Sequence, residues 1–314
     1  MKVEFKHILC ATDLSDFSNQ VVYYGLAMAE KFEAVLYLCH VIDMPIVSVH
    51  GTAYTFPEDY LDNLKEEAAQ KLATLVGGQT VKWESLVRTG PIATSLSELV
   101  SEKGIDLSIA ATHGRAGLGR LFLGSVTERL IRSIGCPLLT ITPTEHKFDF
   151  ETVQRSGFKN ILVGCDFSPD SSSAMQYGLS LAQEFEATIH LIHVIEPIAY
   201  RDKLLPSNMR DSNMKSKLFT NLADELSDRV PEEAYNWCEI KSVCLTGRPY
   251  EELVKYTEEN AIDLIILGVR GHSLVESMLL GSTTDRVIRR ASCPVLSVCP
   301  MASTEQSEGE GVGA

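Results

Sequence analysis

The strongest constraint on this chain is that one unit is written twice. Ile8-Leu9-Cys10-Ala11-Thr12-Asp13-Leu14-Ser15 returns as Ile161-Leu162-Val163-Gly164-Cys165-Asp166-Phe167-Ser168, and His40-Val41-Ile42 returns as His193-Val194-Ile195 at the same spacing. Thr89-Gly90, Gly124-Ser125 and Cys136-Pro137 return as Thr246-Gly247, Gly281-Ser282 and Cys293-Pro294 at a spacing four residues longer. The second copy therefore carries a small insertion between about 197 and 245. A tandem repeat of this period implies two domains of one fold. The expected layout is a domain over 1–143, a linker over 144–158, a domain over 159–300 and a Ser/Glu/Gly-rich disordered tail over 301–314.

Within a copy, short apolar runs alternate with segments of helical spacing. In copy one the expected strands are His7–Ala11, Ala34–Val41, Val81–Val87, Asp106–Ala111 and Leu138–Thr142. The expected helices are Asn19–Phe32, Tyr60–Val76, Ile92–Lys103 and Thr127–Ile134. Continuous apolar strands alternating with helices give a parallel sheet covered on both faces. The fold class is α/β: two doubly wound, five-stranded, Rossmann-like domains in tandem. Such sheets bind ligands beyond the carboxyl ends of their strands, where the winding reverses. That directs attention to the loops after strands one and four.

The net charge of −14 disfavours nucleic acid and anionic membranes as partners. No run approaches the roughly 18 apolar residues of a membrane span, and the start has no apolar signal core. The eight cysteines form no CxxC pair and sit mostly in strand-like runs, as buried reduced thiols do. A cytoplasmic location is expected. Cys238 and Cys244 are not placed for a disulfide.

After strand four, copy two reads Gly268-Val269-Arg270-Gly271, then nine residues, then Gly281-Ser282-Thr283-Thr284-Asp285. Glycines allow close backbone approach, and a helix opening at Gly281-Ser282 offers free N–H groups and the positive end of its dipole to phosphate. Ser282-x-x-Asp285 and Ser125-x-x-Glu128 also read as capping boxes, which would make the same residues purely structural. Asp13 and Asp166 follow strand one at the same rim. Ser168-Pro169 reads as a helix cap followed by proline in the first turn, which sets Asp166 ahead of the cap. A carboxylate there suits a ribose hydroxyl or an adenine amino group.

These residues resemble the universal stress protein family, whose nucleotide-binding members carry Gly-x2-Gly-x9-Gly-[Ser/Thr] after strand four and an Asp after strand one. The resemblance implies ATP, with Mg²⁺ or Mn²⁺, bound in copy two by Asp166, Val194, Gly268, Gly271, Gly281, Ser282, Thr283 and Thr284. Val194 would meet adenine through its backbone. In copy one the matching positions are Asp13, Val41, Ala111, Gly114, Gly124, Ser125, Val126 and Thr127. Ala111 departs from the family glycine; its methyl group would exclude a ligand at positive φ and be harmless at negative φ. The resemblance further implies pairing through strand five, here an internal pseudo-dimer with Leu138–Thr142 facing Val295–Val298. A homodimer of whole chains and an unknown protein partner remain open.

Other chemistry is weakly signalled. His190 and His193 fall on opposite faces of one strand and make a poor metal pair. His40 and His193 read as rim histidines, while His113, Arg115 and Arg270 read as loop residues that either meet phosphate or face solvent. The glycines and hydroxyls hold phosphate, but nothing is placed to attack it. The leading reading is an ATP-binding stress regulator with at most slow hydrolysis. A nucleotide-dependent α/β enzyme and an interaction module with empty or non-nucleotide sites stand as alternatives.

Overall fold

The computed structural model describes residues 3–43, 48–49, 52–53, 58–112, 123–142, 157–196, 212–269 and 281–299. Copy one runs β1 His7–Ala11, α1 Gln20–Phe32, β2 Val35–Ile42, a two-stranded hairpin of β3 Ser48–Val49 and β4 Thr52–Ala53, α2 Glu58–Val76, β5 Trp83–Thr89, α3 Ile92–Lys103, β6 Leu107–Ala111, α4 Ser125–Ser133 and β7 Leu138–Ile141. Copy two runs β8 Asn160–Gly164, α5 Pro169–Phe185, β9 Thr188–Ile195, α6 Ser212–Asp228, β10 Ile240–Thr246, α7 Pro249–Glu259, β11 Leu264–Gly268, α8 Ser282–Arg290 and β12 Val295–Val298. A short 3-10 turn over Glu232–Asn236, between α6 and β10, has no counterpart in copy one.

Ten strands form one sheet in the order β10-β9-β8-β11-β12-β7-β6-β1-β2-β5. Each copy contributes five parallel strands in the same order. The copies join where β12 pairs antiparallel with β7, Val295 opposite Thr140 and Ser297 opposite Leu138. The expected strand-five pairing is thus realised within the chain, and Thr140 Oγ1 adds a bond to the Val295 carbonyl at 3.0 Å. Central strands are buried on both faces, as Ile8, Leu9 and Cys10 of β1 and Ile161, Leu162 and Val163 of β8 illustrate. That is why they read as continuous apolar runs.

The seam is more than a ladder. Phe5 of copy one stacks on Tyr177 of copy two with centroids 6.1 Å apart and meets Phe32 edge-on at 5.0 Å. Phe32 and Phe158 both meet Phe185 edge-on, at 6.3 and 5.1 Å. One apolar cluster therefore contains residues of both copies. Helix one lies close on its own strand in each copy: a Cβ at Gly25 would run into Cys10 Sγ, and one at Gly178 into Val163 Cγ2. The absent side chains set the depth of both helices, and with it the height of the rim above β1 and β8.

Candidate functional site at the end of β8 and β11

β8 stops at Gly164, opposite Ile192, and Cys165 N–H still bonds the Ile192 carbonyl at 2.8 Å. The chain then turns sharply. Phe167 takes a left-handed φ of 65°, as Leu14 does at the matching place in copy one with φ 63°. Non-glycine residues rarely adopt that conformation, so both copies hold strain at the rim. Asp166 Oδ1 accepts the Ser168 N–H at 3.0 Å, which shapes the turn. Ser168 caps α5 by accepting from Ser171 N–H at 3.2 Å, with Pro169 in the first turn, as its sequence indicates.

At the end of β11 the helix N-cap is Gly281, and no side chain caps α8. The capping-box alternative therefore fails in copy two. Asp285 instead takes both guanidinium bonds of Arg289, each 2.9 Å, four residues on. In copy one Glu128 likewise accepts from Arg132 at 2.8 Å, and α4 has no side-chain cap. The loop is latched by other groups. Gly281 N–H donates to the Val269 carbonyl at 2.8 Å, and Thr284 Oγ1 donates to the Gly268 carbonyl at 2.8 Å. Gly124 N–H and Thr127 Oγ1 repeat both bonds in copy one, to the carbonyls of Thr112 and Ala111. The hydroxyl protons of Thr127 and Thr284 are thus committed to strand ends. These two residues position the helix start, while the exposed Ser282 and half-exposed Thr283 keep their side chains outside the latch.

A cavity of about 260 Å³ opens between these elements. Its walls include Asp166, Val194, Gly268, Gly281, Ser282, Thr283 and Thr284, every described member of the copy-two set. Gly271, and with it Arg270, lies outside the described residues. Sequence reasoning missed Ser171, Glu196, Pro249 and Leu253, which also line it. Val194 sits two residues beyond the β8–β9 ladder, still paired with Leu245 of β10, and lines the cavity there. His193 donates from Nδ1 to the Cys165 carbonyl at 2.8 Å. Its ring lies 4.8 Å from that of Phe167, and the Arg229 guanidinium covers Phe167 at 4.8 Å. Burial pushes the Cys165 thiol up, so it lines the wall uncharged.

The charge pattern divides the cavity. Asp166 and Glu196 are acidic, and among the described lining residues there is no lysine or arginine. An anion is met by the α8 N-terminus, through backbone N–H groups and dipole. The volume lies just under the roughly 300–1,000 Å³ of common ligand pockets.

Gly268 has a reason that its motif did not reveal. A Cβ there would lie 2.6 Å from Asp170 Cβ and 2.8 Å from the Asp170 carbonyl carbon. The position needs glycine because α5 starts directly over it. In copy one Ala111 stands here, without a positive φ. At that φ the expectation is that the methyl group is harmless to a ligand. Regular α1 begins only at Gln20, whereas α5 begins at Pro169, whose counterpart is Asp16.

The cavity beside β2, about 440 Å³, is bounded by Asp13, His40, Val41, Glu67 and Lys71 among others, and includes neither Ala111, Gly124, Ser125, Val126 nor Thr127 among its described lining. Asp13 Oδ1 is engaged by Ser15 N–H at 3.0 Å, by Ser15 Oγ at 2.6 Å and by Ser18 Oγ. Gly114, His113 and Arg115 lie outside the described residues. His40 donates from Nδ1 to the Thr12 carbonyl at 2.9 Å, as a rim histidine. His190 is buried and pairs through Nδ1 with Tyr256 Oη at 2.9 Å. Among the described residues no three metal-ligating side chains gather. All eight cysteines are thiols. No helix among the described residues is long and apolar enough to cross a membrane.

Comparison with known proteins agrees with this architecture. The model of the universal stress protein family matches twice, over residues 4–142 and 157–298. The chain belongs to the universal stress protein family. Universal stress protein Slr1230 of Synechocystis is 27% identical over 316 aligned positions, covering 93% of this chain and 99% of its own. Universal stress protein MJ0531 of Methanocaldococcus jannaschii is 32% identical over 142, covering 45% of this chain and 82% of its own. The crystal structure of a universal stress protein from Archaeoglobus fulgidus superposes with a TM-score of 0.65 over 94% of this chain and 98% of its own, at 22% identity, and shows the same fold.

Proposed function

We propose that this chain is a cytoplasmic stress regulator that binds one adenine nucleotide, ATP, in the crevice of copy two, and whose nucleotide state is read by a protein partner. One observation carries the reading: residues from the ends of β8, β9 and β11 and from the first turn of α8 converge on one cavity, whose walls include both an uncapped helix N-terminus and Asp166. The phosphates would lie at Gly281, Ser282 and Thr283, because that end supplies N–H donors. The sugar would face Asp166, whose charge accepts from hydroxyls and repels phosphate. Adenine would lie against the backbone of Val194.

A divalent cation, Mg²⁺ or Mn²⁺, fits this donor set only as a companion of the phosphates, with Asp166 or Glu196 as the nearby carboxylates. Bound there it would supply neutralising charge. Any hydrolysis at this site would be slow, the nucleotide being held for its effect on a partner. Copy one then serves as the structural partner of the pseudo-dimer.

The test is Ser282→Asp. A carboxylate in the first turn favours the helix dipole, so the fold is retained, yet it stands where phosphate would sit. ATP binding by calorimetry should fall at least about a hundredfold with thermal stability unchanged. Unaltered ATP affinity in this variant would refute the phosphate assignment.

A further inference from the structure

At the seam, Val295 lies opposite Thr140, Leu296 opposite Leu139 and Ser297 opposite Leu138. Cys136 lies just before β7 and Cys299 just after β12, outside the ladder itself; carried two residues on, the same register brings them toward each other. Directly opposed residues of an antiparallel pair have Cα atoms about 4.5 or 5.5 Å apart. A disulfide requires about 4.4–6.8 Å, so both spacings qualify. Side chains alternate along a strand, which puts Cys136 with Leu138 and Cys299 with Ser297 on one face. Cys136 belongs to the apolar cluster that includes Leu138 and Val295, and Cys299 packs against that same cluster. Cys136 is buried with Sγ 3.2 Å from Ser108 Oγ, while Cys299 is half-buried. Burial pushes the Cys136 thiol up, and Cys299 adds a smaller push in the same direction.

We propose that Cys136 and Cys299 form a peroxide-oxidisable dithiol that locks the two copies together covalently across their seam. The more accessible Cys299 reacts first. Its sulfur attacks a peroxide oxygen, the O–O bond breaks, water leaves and a sulfenic acid remains. Cys136 sulfur then attacks Cys299 sulfur, the S–O bond breaks, and hydroxide leaves with the Cys136 proton as a second water. Two thiols and one hydrogen peroxide thus give one disulfide and two waters. Burial holds the Cys136 thiol up at about 11, which disfavours it as the first nucleophile and makes its attack on the sulfenic acid the slow step. The chain contains its own control. At the other end of the seam the same register sets Cys293 opposite Thr142, so one end carries two thiols and the other carries one.

The experiment treats the full chain with hydrogen peroxide, alkylates the remaining thiols under denaturing conditions and maps the peptides by mass spectrometry. Two of the eight thiols should escape alkylation, with one cross-linked peptide joining Cys136 to Cys299, reversible by dithiothreitol. Cys299→Ser should abolish the cross-link. Thr142→Cys should add a second, joining residue 142 to Cys293. Full alkylation of all eight thiols after peroxide would overturn the proposal, as would a cross-link between other cysteines in its place. The outcome does not depend on whether nucleotide binds.

Discussion

His193 and Cys165 are joined side chain to backbone, the imidazole Nδ1 donating to the Cys165 carbonyl at 2.8 Å. His40 and Thr12 repeat the bond in copy one at 2.9 Å. A carbonyl only accepts, so Nδ1 carries a proton in both rings. Each histidine ties the end of the second strand to the turn after the first. His193→Ala should therefore cost about 1 kcal/mol of stability and weaken ATP binding about tenfold, read by thermal unfolding and calorimetry. His40→Ala should cost similar stability and leave ATP affinity unchanged.

The steric account of Gly268 makes a paired prediction. Gly268→Ala forces the backbone of α5 aside at Asp170 and should destabilise by about 1–3 kcal/mol, as overpacking does, with loss of ATP binding. Ala111→Gly should leave the number of nucleotides bound per chain unchanged, because the alanine already sits at a φ that a methyl group tolerates. Denaturant titration reads the first, and equilibrium binding the second.

The sequence made the strands and helices of copy one legible to within about two residues, because apolar period and terminal signals are local properties. Asp166 was legible as a rim residue because strand ends and the switch point follow from element order alone, whereas Val194 came only from the family resemblance. The reason for Gly268 was not, since it depends on where α5 crosses β11. The committed hydroxyls of Thr127 and Thr284 were hidden for the same reason. Glu128 and Asp285 carried a readable alternative signal, an arginine four residues later in each case, which outcompetes the capping box. The short β3–β4 hairpin was not foreseen, and the contacts of Phe5 with Tyr177 and of Phe32 with Phe185 arise only once the two copies meet.

Those aromatics, and not ions, should dominate the seam. Arg289 reaches across to Glu128 at 3.8 Å while bonded to Asp285, in a partly exposed setting. Arg289→Met should change stability by less than about 1 kcal/mol, with the difference shrinking in high salt. Phe5→Ala removes a ring that is 2% exposed from between Phe32 and Tyr177, and should cost about 3–5 kcal/mol. Chemical denaturation of the two variants gives the comparison.

Burial lowers the pKa of His190, with Lys241 adding to the effect and Glu239 opposing it. The unfolded chain therefore binds this proton more readily than the folded one. The neutral ring stabilises the fold fully above the unfolded value of about 6.5, and that contribution is lost as pH falls below it. His190→Gln should flatten the decline in melting temperature between about pH 7 and pH 5.5. An unchanged slope would show that other groups drive it.

The central claim is a single nucleotide site in copy two, and native mass spectrometry of the full chain titrated with ATP and Mg²⁺ tests it most directly. One ATP per chain, absent from Ser282→Asp, is the expected result. No bound nucleotide, or a stoichiometry that Ser282→Asp leaves untouched, would contradict it.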